Sequence, residues 1–100
     1  MMKLKLMAEY ECWPLWLSSG AADQRGNIDP VGLPLQPSTR HRLEQWARWF
    51  ETTYNPDDPA ASGFADQTAR QAFNEEGQTL ARLLQSELAG LYEVAFVPAA

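Results

Sequence analysis

Hydrophobic and polar residues alternate at the start of the chain. Leu4, Leu6, Ala8, Tyr10 and Cys12 fall on one side, and Lys3, Lys5, Met7, Glu9 and Glu11 on the other. A period of two over that length predicts a half-buried strand spanning residues 3 to 12. Pro14 has no amide hydrogen to give a ladder, so the strand ends, bulges or runs along a sheet edge near Trp13. Leu15 to Leu17 either extends it or forms a short second piece.

Periodicity then disappears. Residues 18 to 37 combine Gly20, Gly26 and Gly32 with Pro30, Pro34 and Pro37, which leaves no helical stripe. Ile28, Val31, Leu33 and Leu35 give this stretch apolar anchors, so it reads as a long ordered loop that crosses the structure.

Helical spacing follows. Leu43, Trp46, Ala47, Phe50 and Tyr54 recur at intervals of three and four, which makes one face of a helix from Ser38 to Tyr54. Trp49 falls off that stripe. Either Ser38 caps the start, or Gln36 precedes Pro37 as the first helical residue. Pro56 disfavours helical geometry at Asn55 and stops the helix. A second helix runs from Gln67 to Ala89, capped by Asp66 and ended by Gly90. Phe73, Gly77, Leu80, Ala81, Leu84 and Leu88 form its buried face. Gly77 costs about 1 kcal/mol relative to alanine inside a helix, a cost that close approach of another backbone would offset. Leu91 to Val97 closes the chain as a strand with Tyr92, Val94 and Phe96 on one side. The order is strand, long loop, helix, helix, strand. The expected fold is α+β, with two amphipathic helices packed on a small sheet as a single domain over residues 1–100.

Charge narrows the function classes. Thirteen acidic against eight basic groups give a formal charge of −5. Phosphate binding needs a basic face, so direct nucleic-acid binding is disfavoured. A basic protein partner suits this charge, although modest acidity also serves solubility alone. Cys12 is the single cysteine, so the chain has no internal disulfide and no cysteine-based zinc cluster, which fits a reducing compartment. Lys5 and Glu9 interrupt the apolar residues at the start, and no stretch is long enough to span a membrane. A cytoplasmic protein without membrane association is the expectation.

Candidate chemistry is sparse. His41 is the only histidine, and no local motif pairs it with Cys12 or a serine as a nucleophile, so no catalytic set is expected. Arg40, His41 and Arg42 crowd a helix start with cations. They mark either an anion site, because helix N-termini bind phosphate and carboxylate, or pairing with acidic loops. Asp57, Asp58, Asp23 and Asp29 offer oxygen ligands without the alternation and glycine of a calcium loop, so neither metal nor cofactor is expected. In the corner TYNPDDPAASGF, Asp57 and Asp58 either accept local backbone hydrogen bonds or face a partner. Trp13 and Trp16 bracket Pro14. Either both plug the end of the core, or one stands exposed as an interface anchor with Glu9 and Glu11 as its acidic rim. Trp49 carries the same two readings.

The stretches KLKLMAEYECWPLW, GNIDPVGLPL, WFETTYN, DDPAASGF, FNEEGQTLARLLQSEL and YEVAF together resemble a family of small acidic bacterial immunity proteins. That family is associated with polymorphic and contact-dependent growth inhibition toxin systems. The likeness covers most of the chain, and GNIDP with DDPxxSGF is its more specific part. It implies an antitoxin that is a monomer until it binds a cognate toxin domain one to one and blocks the toxin's active site. No catalysis is required of such a protein. Toxin domains of this kind are often nucleases with basic channels, which an acidic plug complements. On that reading Asp57, Asp58, Glu9, Glu11, Trp13 and Trp16 are the toxin-contact candidates. The alternative is a small anion-binding protein or enzyme that uses Arg40, His41 and Arg42.

Overall fold

Alternation along the first strand decides which side of the sheet the helices cover. The computed structural model describes residues 2–18 and 26–100. β1 (Met2–Leu6) buries Leu4 and Leu6 fully and turns Lys3 and Lys5 the other way. It pairs antiparallel with β2 (Leu15–Ser18), which pairs antiparallel with β3 (Asn27–Ile28). On its other side β1 pairs in parallel with β4 (Tyr92–Phe96), so the sheet order is β3-β2-β1-β4. Parallel neighbours need a long crossover. Here α1 (Pro37–Glu51) and α2 (Gln67–Glu87) lie within it, between β3 and β4. Both helices pack on the face carrying Leu4, Leu6 and Leu15, which form one core with Leu43, Trp46, Phe73, Leu80, Leu84 and Leu88. The architecture is the expected α+β arrangement of two helices on a small sheet.

The first strand is shorter than its alternation predicts. It stops at Leu6 because the Met7 amide donates to the Pro14 carbonyl (2.9 Å), and the residues between become the connection to β2. Glu11 adopts φ 60°, a left-handed conformation rare for a side chain of its size. Glu9 and Glu11 therefore sit on a turn, not on the polar face of a strand. Leu15 to Ser18 is the separate second piece, and Ile28 within the long loop belongs to a third strand. Residues 19–25 of that loop, Asp23 among them, lie outside the described residues.

α1 starts by the second of the two expected routes, with Gln36 as the capping residue and Pro37 first inside. Its N-terminus does hold an anion, but the anion is internal. The Glu87 carboxylate at the end of α2 accepts from the Gln36 amide (2.7 Å) and from the buried Thr39 hydroxyl. A carboxylate there offsets the helix dipole, which explains how α1 tolerates a first turn without acidic residues of its own. At the other end the helix tightens. Thr53 and Tyr54 amides reach back three residues, to Phe50 and Glu51, so regular helix ends at Glu51 and not at Tyr54.

Asp66 caps α2 as expected, its Oδ1 accepting from the Ala69 amide at 2.8 Å. α2 ends at Glu87, two residues before the expected Ala89, and Gly90 at φ 86° turns the chain toward β4. Gly77 departs from expectation in its partner. The nearest atoms are side-chain rings and not backbone: a Cβ there would stand 2.5 Å from the Phe96 ring and 2.9 Å from Trp46. α2 also reaches over the outer edge of β4. The Gln85 amide donates to the Tyr92 carbonyl (3.0 Å) and accepts from the Val94 amide (2.9 Å). It thereby satisfies backbone groups that a free strand edge would expose. Among the described residues no helix is long and apolar enough to cross a membrane.

Candidate partner-binding surface

The β1–β2 turn packs against the end of α1 through aromatic stacking. The Tyr10 ring stacks on Phe50 at 4.5 Å and tilts against Tyr54 at 5.2 Å. Its hydroxyl donates to Thr53, whose own hydroxyl donates to the Phe50 carbonyl. The Glu51 carboxylate accepts from the Glu11 amide at 2.7 Å, tying the strained residue of the turn to α1. Glu9, Glu11 and Glu51 thus converge around Cys12. Burial first, and then these three carboxylates, push the Cys12 thiol above its usual value, so the sulfur stays a thiol at neutral pH.

Tyr54 leads directly from this cluster into the corner between the helices. There Asn55, not Asp57 or Asp58, makes the local turn bonds: its Oδ1 accepts from the amides of both aspartates, at 3.1 and 3.2 Å. Ser62 closes the other side, its Oγ accepting from the Asn55 amide at 2.8 Å. Both aspartates are exposed, and neither carboxylate bonds to another described residue. The corner is built without them.

Trp13 follows the β1–β2 turn residues and faces the middle of α1. Its side chain is 50% exposed, so it does not plug the core; the buried residue beside it is Pro14. Trp13 borders a cleft of about 190 Å³ between the turn and α1, floored by Pro14, Pro30, Leu43 and Ala47. Cys12, Asp29, Glu44 and Arg48 complete its lining. An exposed indole over an apolar floor, with carboxylates around it, has the composition of an interface anchor inside a charged rim.

Trp16 is elsewhere. Lys5 is its ladder partner, so both lie on the sheet face away from the helices, with the Lys5 ammonium 5.8 Å from the indole centroid. The Trp16 Nε1 donates to the Met7 carbonyl at 3.1 Å. Neither tryptophan of the WPLW segment is in the core. Trp46 fills that role, stacked on Phe73 at 4.4 Å with its Nε1 donating to the Phe73 carbonyl. Trp49 stands edge-on to Phe73 at 5.1 Å, at the margin of the core.

The cationic start of α1 does not assemble a site. Arg42 forms a two-pronged pair with Glu76, both contacts at 2.7 Å, and this hydrogen bonding raises its pKa further above the ordinary value. Arg40 turns back to the Leu33 carbonyl at 3.3 Å, while His41 is exposed. None of the three lines the Trp13 cleft, and Glu87 already occupies the helix N-terminus. Among the described residues no cluster of metal-ligating side chains occurs.

Of the six sequence-nominated contact residues, the fold gathers Glu9, Glu11 and Trp13 on one turn and leaves Asp57 and Asp58 exposed on the corner that follows Tyr54. It leaves Trp16 on the sheet. Sequence reading missed Glu44 and Asp29, which line the cleft beside Trp13, and Glu51, which bonds the Glu11 amide, because only the tertiary fold brings them to the turn. A family model described as Serratia CdiI immunity protein-like matches residues 2–99. Among curated proteins, none matches the chain. The chain belongs to the Serratia CdiI immunity protein-like family.

Proposed function

We propose that this protein neutralises a toxin domain by binding it one to one through the Trp13 end and covering its active site, without catalysis of its own. The observation that carries this reading is an exposed tryptophan beside a cleft lined by Asp29, Glu44 and Arg48, on a turn that also brings Glu9, Glu11 and Glu51 around Cys12, so that carboxylates outnumber the one cation. Aromatic side chains supply binding energy when a partner desolvates them, and surrounding carboxylates favour a basic partner over an acidic one. A nuclease fits best as the toxin, because its substrate channel must be basic to hold phosphates. An acidic end that enters such a channel competes with the nucleic acid directly.

The direct test is titration of purified protein into the toxin domain of the polypeptide encoded beside it, with nuclease activity as the signal. Activity is expected to vanish at one equivalent. Activity that persists at a large excess, with no complex on size-exclusion chromatography, would overturn the proposal.

A further inference from the structure

The backbone of Trp13 is held by a side chain from another strand. The Asn27 Nδ2 donates to the Trp13 carbonyl at 2.6 Å and to the Leu15 carbonyl at 3.1 Å. The Asn27 Oδ1 accepts from the Trp13 amide at 3.1 Å. One amide group thereby binds both backbone polar groups of Trp13, although the ladder partner of Asn27 is Trp16. The regular pairing of β2 with β3 covers only Leu15 and Trp16, and the next residue, Pro14, has no N–H with which to extend it. Trp13 lies beyond that break. The flanking residues keep backbone bonds, Pro14 from Met7 at 2.9 Å and Cys12 to Glu9 at 3.4 Å, but among the described residues the polar groups of Trp13 itself are bound only by the Asn27 side chain.

We propose that Asn27 is a positioning residue for the Trp13 anchor, acting on the toxin through Trp13 and setting the lifetime of the complex. This rests on the reading that Trp13 lies in the toxin interface. An anchor whose backbone is already fixed loses less conformational freedom on binding, and that saving appears in the dissociation rate. A backbone left free at Trp13 would have to be ordered each time the complex forms. The neighbouring residues of the GNIDP segment serve the same end. Asp29 caps the short turn at Pro30–Gly32 by accepting from the Val31 amide at 3.0 Å, and Pro30 forms part of the cleft floor beside Trp13.

The test is a double-mutant cycle on the full chain, with association and dissociation rates measured against the toxin domain. Trp13→Ala is expected to raise the dissociation rate by about 30-fold or more, the scale of a hot-spot residue. Asn27→Ala is expected to raise it about tenfold, with association changed by less than about threefold, since most interface effects fall on dissociation. In the Trp13→Ala background, Asn27→Ala is expected to do almost nothing further. Asn27→Asp, which keeps the size but loses both donated bonds, is expected to follow Asn27→Ala. An equal effect of Asn27→Ala with and without Trp13 would overturn the proposal, because Asn27 would then act on the fold at large. So would unchanged dissociation in both Asn27 variants. If Trp13→Ala itself leaves binding intact, the underlying assignment of the interface fails instead, and the two failures are distinguishable.

Discussion

Asp57→Lys with Asp58→Lys is expected to slow toxin association by about tenfold or more at low salt, the lower end of what electrostatic steering contributes. Both carboxylates are exposed, and Asn55 holds the corner through their backbone amides, so the substitutions leave the turn chemistry intact. The matched control is Glu75→Lys with Glu93→Lys, which makes the same change in net charge on the exposed side of α2 and on the outer sheet face. That pair is expected to slow association far less, because steering depends on where the charge lies as well as its sum. The difference between the two pairs is expected to shrink as ionic strength rises and the screening length falls from about 10 Å at 0.1 M to about 3 Å at 1 M. Stopped-flow mixing over a salt series measures it. Equal slowing by the two pairs would reduce the effect to net charge and remove Asp57 and Asp58 from the interface.

Phe73→Ala is expected to lower folding stability by about 3–5 kcal/mol, a large share of the roughly 5–15 kcal/mol available to a domain. Phe73 is fully buried between both helices and meets four rings: Trp46 at 4.4 Å, Phe64 at 5.0 Å, Trp49 at 5.1 Å and Phe50 at 5.7 Å. Its loss leaves a cavity that the stacked Trp46 cannot fill, because the Trp46 indole is also bonded to the residue 73 carbonyl. At about 4–8 °C per kcal/mol for a domain of this size, the midpoint of thermal unfolding should fall by about 12 °C or more. Urea unfolding with an unchanged slope would confirm that the loss is in the folded state. A loss below about 1 kcal/mol would show that the aromatic cluster is not the centre of the core. The site depends on this cluster as well, since Phe50 lies between Phe73 and Tyr10 and so carries the core's order out to the β1–β2 turn.

The helices were legible because their signals are local. Asp66 and Gly90 act within one turn of the helix they bound, and Gln36-Pro37 marks the start of α1 as one of two readable routes. The first strand was over-extended because residues 7 to 12 keep a period of two while serving a turn. Tyr10 is apolar in the pattern for the sake of Phe50 and Tyr54, forty residues on, and not for the sheet. Tertiary pairings hid the rest. Nothing near Arg40, His41 and Arg42 announces that Glu87 fills their helix end, or that Glu76 takes Arg42. The corner misled more subtly, since Asn55 outcompetes the two aspartates for the turn amides and frees their charge for other use. At Trp13 the sequence left core and interface open. The indole borders a cleft that Pro14 and Pro30 help to floor, while Asn27 fixes its backbone.

Hydrogen exchange of this protein, alone and bound to its toxin domain, tests the proposed docking surface most directly. Docking through the Trp13 end requires slower exchange on binding at the amides of residues 9–13, 53–55, 57 and 58, with the outer face of β1 and β4 unchanged. Slowing confined to β4 or the exposed side of α2, with the Trp13 turn exchanging as freely as before, would contradict it.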